Sequence, residues 1–312
     1  MSASQTAVRS HTQPQAKKPV LKRWFGGEAG LAWLFLLPSL IGFTAFYAIP
    51  AVRGLYISFT DWDLFSAPKF IGFENYIDMF GDKQFWRSLQ VTGYYVLLNI
   101  PLQTVLAIAI AVMMDRVTKS ALLRGLFVMP WLLPPVIVAL VWLWMLDPVL
   151  GFVNMALQGL GFSRQAFLGS PDQAMPAIAA INIWQYTGYT ALLFFAGLQT
   201  IPKSIYEAAA IDGATEGRMF WSITLPLLRP VMVFVLVTTI IGSFQIFDTI
   251  AVTTGGGPVD ATRVITWYIF EFAFERFQMG YATAVAVVLF LILAFVTFVQ
   301  MRILRADSSD LA

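Results

Sequence analysis

The sequence predicts an all-α protein that crosses a membrane six times, and three observations carry that prediction. Of the 312 residues, 58% are hydrophobic and 12% are charged, about half the charged share of a soluble domain. Mean hydropathy is +0.71. Six runs reach the roughly 20 mostly apolar residues that a helical span needs: 30–52, 89–113, 125–146, 174–198, 230–252 and 281–301.

Residues 1–29 are rich in Ser, Thr, Gln, Lys and Arg and lack apolar periodicity, so they read as a disordered tail. A cleaved signal peptide has an apolar core of about 7–15 residues. The run at 30–52 is longer and reads as an uncleaved first span, opening a six-span domain over 30–305. Residues 306–312 form a second short tail. The loop at 53–88 holds Ser58-Phe-Thr-Asp-Trp-Asp63 and Phe70-Ile-Gly-Phe-Glu-Asn-Tyr76. Its aromatics suit an interfacial belt, and they suit a docking surface for an external protein. Pro38, Pro101, Pro134, Pro135 and Gly188 fall inside expected spans. Such residues are tolerated where neighbouring helices satisfy the freed backbone groups. Helices packed around a pathway and ordinary small-residue packing explain them equally.

Six spans put both termini on one side of the membrane. That side carries Arg9, Lys17, Lys18, Lys22, Arg23, Arg116, Lys119, Arg124, Lys203, Arg218, Arg229, Arg302 and Arg305, most of the 20 basic residues. The positive-inside rule makes it the cytoplasmic side.

Composition excludes much chemistry. Cysteine is absent, which removes disulfides and thiolate metal sites. The single histidine, His11, lies in the polar tail, so histidine metal sites and Ser-His catalysis are not expected. A net charge of +2 gives no footprint for nucleic acid. Gly255-Gly-Gly-Pro258 lacks the Lys and Ser or Thr of a phosphate-cradling loop and reads as a tight turn. The chain itself is not expected to bind ATP.

A polar island at 207–230 interrupts the apolar pattern on the cytoplasmic side. Glu207-Ala-Ala-Ala-Ile211 is helix-forming. Asp212-Gly213 signals a turn, with Gly213 able to take the left-handed conformation that ends a helix. Thr215 offers a cap for a second short helix, which Pro226 is expected to close. Two short helices meeting at a glycine make a compact knob.

A second constellation lies inside the spans. Asn182, Gln185, Tyr186 and Tyr189 follow the i, i+3, i+4, i+7 spacing of one helix face. The next span holds Ser243, Gln245 and Asp248, and Asp248 is the one ionisable residue within the six runs. Amides and aromatics together suit a sugar, whose ring face stacks while its hydroxyls bond. Interhelical hydrogen bonding uses the same residue types and accounts for them equally well. Asp248 fits either a functional or an interfacial position.

The island resembles the EAA coupling loop of ABC importer permeases through Glu207, Ala208, Ala209, Asp212, Gly213, Ala214, Phe220, Ile223, Leu225, Pro226 and Pro230. Leu36-Leu-Pro-Ser, Met129-Pro-Trp-Leu-Leu-Pro-Pro135, Gly242-Ser-Phe-Gln-Ile-Phe-Asp248 and Thr254-Gly-Gly-Gly-Pro258 extend the likeness over about residues 28–305. Together they look like carbohydrate-uptake permeases of the maltose and glycerol-3-phosphate type, on the side of the larger maltose permease subunit. The resemblance implies that Glu207, Ala208, Ala209, Asp212, Gly213, Ala214, Phe220 and Pro226 dock an ATPase. It implies a complex with a second homologous permease, two ATPase subunits that bind ATP and magnesium, and an extracytoplasmic solute-binding protein. It also points to the regions 182–189 and 242–246 as solute contacts. The departure at Gly242, where the maltose relative has an aromatic, weakens the carry-over of single contacts. The same scaffold carrying glycerol-3-phosphate is the first alternative, although no Lys or Arg lies within the runs to meet a phosphate. An ion-coupled carrier is the second, and it is disfavoured by the shortage of buried ionisable residues.

Overall fold

The computed structural model describes residues 28–116 and 120–303. The expected N-terminal tail lies outside them, except for residues 28 and 29, which begin the first helix; the tail at 306–312 also lies outside. Two compact units divide the chain, Met1–Gly54 and Leu55–Ala312. The first unit holds α1, Glu28–Phe43, and a π-helical turn, Thr44–Ala48. α2, Ile49–Ile57, then continues the same apolar stretch. Pro50 explains the turn. A proline lacks the N–H of the helical ladder and its ring crowds the carbonyl four residues back. Widening the helix just before Pro50, with Ile49 N–H bonded to the Thr44 carbonyl, relieves that crowding.

The second unit opens on a two-stranded hairpin. β1, Thr60–Asp61, pairs antiparallel with β2, Lys69–Phe70, in the register Thr60↔Phe70. At its tip the Asp63 carboxylate accepts from Ser66 Oγ at 2.7 Å and from two backbone N–H groups. Those bonds, the Ser66 hydroxyl foremost, hold its pKa below the usual carboxylate range. α3, Glu74–Gly81, leads into α4, Lys83–Arg116, a 34-residue helix about 51 Å long. After α4 come α5, Ala121–Leu132, and α6, Pro135–Met145. α7, Phe152–Gly159, precedes the 28-residue α8, Pro171–Leu198.

The run at 125–146 is not the single straight span its hydropathy suggested. α5 and α6 meet at 92°. Proline drives the preceding residue to extended backbone, and here two prolines act in succession: Leu133 has ψ 137° and Pro134 ψ 133°. Pro135 then starts α6 at a position where no N–H is needed. Among the described residues, four helical stretches are long and apolar enough to cross a membrane, Leu31–Ile57, Lys83–Arg116, Arg229–Thr253 and Met279–Ile303; the bent pair would make a fifth. α8 has the length of the sixth, and its buried Asn, Gln and Thr residues lower its apolarity.

The polar island folds as α9, Lys203–Ile211, and α10, Glu216–Met219. A π-helical turn, Phe220–Thr224, and a short α11, Leu225–Leu227, continue almost directly into α12, Arg229–Phe244. Pro226 therefore does not close the second helix. As at Pro50, a π turn ends just ahead of the proline, with Leu225 N–H bonded to the Phe220 carbonyl, and the chain runs on as helix. α12 breaks at 245–247 before α13, Asp248–Thr253. Gly255 and Gly256 then turn the chain with φ of +55° and +85°. α14, Ile265–Phe270, and α15, Met279–Ile303, complete the fold.

α8 is the central post: α4 and α5 both pack along it, and α12 packs on α4 and α8. Two apolar layers occupy opposite ends of this packing. One contains Val91, Tyr95, Met175, Ile178, Ile246 and Ile250. The other contains Ala107, Ala111, Ala191, Phe194, Leu198 and Leu228.

Candidate functional site

Between those two layers lies a cavity of about 270 Å³, just under the usual range for small-molecule pockets. α8 contributes Asn182, Tyr186, Tyr189, Thr190 and Leu193. α12 and the break after it contribute Thr238, Thr239, Gly242, Ser243, Gln245, Ile246 and Phe247, and α13 adds Asp248 and Thr249. α4 supplies Tyr95, Asn99 and Gln103, and the bent pair supplies Trp131 and Pro135. The break in α12 leaves Gln245 and Asp248 exposed, which frees their side chains for the cavity. Trp131 and Tyr189 stack with ring centroids 4.3 Å apart and planes at 12°.

Six of the seven sequence-expected solute residues meet here: Asn182, Tyr186, Tyr189, Ser243, Gln245 and Asp248. Gln185 does not. It is 1% exposed, and its Nε2 donates to the Leu133 carbonyl at 3.2 Å. That carbonyl sits at the α5–α6 bend, where the Ile137 N–H it would meet in a straight helix bonds the Pro134 carbonyl instead. The i, i+3, i+4, i+7 face of α8 is thus divided between the cavity and the bend.

The α4 residues went unnoticed in the sequence. A signal was present: Val91, Tyr95, Asn99, Gln103, Ala107 and Ala111 repeat every four residues, and each is less than 9% exposed. The stripe changes from apolar to amide and back, marking a buried polar layer between two apolar ones. Its amides are joined across helices. Asn99 Nδ2 donates to Ser243 Oγ at 3.0 Å and to Gln103 Oε1 at 3.1 Å, and Gln103 Nε2 donates to Thr190 Oγ1 at 2.9 Å. Asn182 Nδ2 donates to the Ile178 carbonyl, while its Oδ1 accepts from Thr249 at 3.3 Å.

The knob is a separate, exposed site. α9 ends in a Schellman motif: Ala214 N–H bonds the Ala209 carbonyl at 2.9 Å and Gly213 N–H the Ala210 carbonyl at 3.1 Å. Gly213 supplies the required left-handed residue, with φ +76°. Thr215 caps α10 by accepting from Arg218 N–H. Tyr206 Oη and Thr224 Oγ1, 3.0 Å apart, tie α9 to the π turn. An Arg116–Glu216 ion pair ties the end of α4 to α10. Glu207, Ala208, Asp212, Gly213 and Pro226 are exposed, whereas Ala209, Ala214 and Phe220 are half-buried. Ile211 at 87% and Trp221 at 69% exposure add apolar surface that the sequence pattern did not single out.

A permease scaffold, with an exposed helical knob and a polar cavity among its helices, is the class this fold and these sites define. The family described as "Binding-protein-dependent transport system inner membrane component" matches residues 103–308, and the chain belongs to it. The chain is 38% identical over 276 residues to the probable ABC transporter permease protein YesP of Bacillus subtilis, covering 86% of this chain and 89% of that protein. It is 37% identical to the sulfoquinovosyl glycerol transport system permease protein SmoG of Agrobacterium fabrum, with coverage of 92% and 94%. It is 34% identical to the trehalose/maltose transport system permease protein MalF of Thermococcus litoralis, with coverage of 89% and 95%. Among solved structures, a bacterial ABC transporter involved in import of the acidic polysaccharide alginate superposes with TM-score 0.81 at 25% identity, over 93% of this chain and all of that one. The protein is a permease subunit of a binding-protein-dependent ABC importer. It is a multi-pass inner-membrane component that transports and does not catalyse, working with a periplasmic binding protein and an ATPase.

Proposed function

We propose that this subunit, with six spans and both termini in the cytoplasm, passes a neutral disaccharide or short oligosaccharide through the 270 Å³ cavity. The α9–α10 knob docks into an ATPase subunit through Glu207 and its neighbours, and a second homologous permease and a second ATPase subunit complete the complex. The lining carries the sugar reading: three tyrosines, a tryptophan, four amides and several hydroxyls, with Asp248 as its one charge and no Lys or Arg. Such a surface stacks on pyranose faces and bonds hydroxyls, and it offers nothing to pair with a phosphate, sulfonate or carboxylate. The trehalose/maltose relative fits this reading, whereas the names of the sulfoquinovosyl glycerol and alginate transporters describe anionic cargo.

The test is uptake of radiolabelled maltose and trehalose by the full complex in proteoliposomes, with glycerol-3-phosphate as competitor. Uptake of a neutral disaccharide, unaffected by glycerol-3-phosphate, is the expected result. Uptake of glycerol-3-phosphate alone defeats the proposal. Orientation is read separately, because the chain has no cysteine of its own. A cysteine placed at Ser66 reacts with an impermeant maleimide from outside, and one at Thr215 reacts only after the membrane is opened. The reverse pattern overturns both the orientation and the knob's role.

A further inference from the structure

The sequence motifs direct attention to α8 and α12, but α4 places in the cavity lining a buried acceptor without a donor, which neither of those helices does there. Donor and acceptor directions in its network are fixed from one end. Thr190 Oγ1 donates to the Tyr186 carbonyl, so its oxygen accepts the hydrogen bond from Gln103 Nε2. Gln103 must then turn its Oε1 toward Asn99, and Asn99 must answer with Nδ2. The same Nδ2 reaches Ser243 Oγ. An amide nitrogen has two hydrogens, and both are now used. The Asn99 Oδ1 acceptor is left over: it is buried and has no hydrogen-bond partner among the described residues. Asn99 is 3% exposed and lines the cavity.

A buried acceptor without a donor is costly, and a ligand that brings the donor recovers that cost. The Thr190 hydroxyl hydrogen is committed to the Tyr186 carbonyl, the Gln103 amide nitrogen points at Thr190, and no described side chain donates to the Asn99 oxygen. A sugar hydroxyl supplies a freely rotating donor. We propose that α4 forms a further solute-binding wall beside those of α8, α12 and the bent pair, with the Asn99 amide oxygen accepting a hydroxyl hydrogen of the transported sugar. Tyr95, one helical turn away and 2% exposed, flanks it on the same wall. The inference rests on the sugar reading above and adds a helix to the site.

The experiment is a cycle between protein and solute in the reconstituted full complex. Uptake KM is measured for maltose and for its monodeoxy analogues, in the wild-type complex and with Asn99→Ala. One analogue is expected to lose about tenfold in apparent affinity with wild type and nothing further with the variant; its missing hydroxyl is the Asn99 partner. Should Asn99→Ala fail to assemble, Asn99→Ser makes the same truncation while keeping a hydroxyl for Ser243. Asn99→Asp retains the acceptor and should still discriminate against that same analogue. If every analogue loses the same factor in wild type and the truncated variant, the inference is overturned and the sugar reading stands. If the wild-type complex takes up no maltose, trehalose or other neutral disaccharide, both fall.

Discussion

The knob and the cavity are built by opposite strategies. The knob at 203–230 is a mostly local object: apart from the Arg116–Glu216 ion pair, a Schellman turn, a threonine cap and a tyrosine–threonine bond shape it within fewer than thirty consecutive residues. The cavity is assembled from six helices and one helix break. Its key bonds join residues 144 and 87 positions apart in the chain. The contrast teaches where each will fail. A local object is set by backbone conformations that single residues allow, and its surface stays free to meet a partner. A non-local one depends on how closely helices approach, and it collapses as a whole when the approach is blocked.

The two glycines at the centre of these regions sharpen that contrast. At Gly188 an added Cβ would lie 1.7 Å from the Phe127 carbonyl oxygen. α5 therefore rests directly on the backbone of α8, beside the Trp131–Tyr189 stack. Gly188→Val should give the largest effect: overpacking costs about 1–3 kcal/mol even where side chains can yield, and here the obstacle is backbone. No monodisperse protein is expected on size-exclusion after detergent extraction. A well-behaved, fully active Gly188→Val complex would show that α5 and α8 do not touch in this way.

At Gly213 nothing lies within 4 Å of an added Cβ, so sterics with neighbours are irrelevant and only φ matters. A left-handed residue costs an L-amino acid about 1–2 kcal/mol, and β-branching makes it worse. Gly213→Val should leave membrane levels normal but cut maltose uptake at least tenfold, through loss of the angle between α9 and α10. Gly213→Asn should retain more, because asparagine tolerates this conformation. Normal uptake by Gly213→Val at normal expression would detach the knob from coupling.

The smallest contrast lies within a single helix face. Tyr189→Ala should depress uptake severalfold while binding-protein-stimulated ATP hydrolysis persists, since the knob is untouched. Gln185→Leu, one turn away, should leave the apparent affinity for maltose unchanged. Its bond to Leu133 is worth roughly 1 kcal/mol, and the substitution also removes a buried Oε1 that has no partner among the described residues. A slightly lower melting temperature is the expected readout. Equal loss of maltose affinity in both variants would return Gln185 to the solute path.

These cases show how far the residue pattern reached. The knob was legible nearly whole, since Asp212-Gly213 and Thr215 act through their own backbone and the nearest turn. Its one misreading, Pro226 as a terminator, arose because the chain answers the crowding at that proline with a π turn and runs on as helix, as it does at Pro50. The α8 stripe was legible as a polar face, but periodicity gives direction and not neighbours. It could not separate Gln185, facing the bend, from Asn182 and Tyr186, facing the cavity. The α4 wall was missed because amides every fourth residue look, one at a time, like common helix-packing residues.

By itself, then, the sequence determined the helical membrane architecture, the knob with its glycine hinge, and the residue types fit to meet a solute. Apolar length, helix-ending residues and capping chemistry act over a few residues and leave their mark in order along the chain. Only the tertiary structure decided the 92° bend between α5 and α6, the break that frees Gln245 and Asp248, and the joining of Asn99 to Ser243. Those outcomes follow from which helices approach and how closely. That approach is set by packing distances between segments far apart in sequence, such as the contact of Gly188 with the Phe127 backbone, and no local pattern records them.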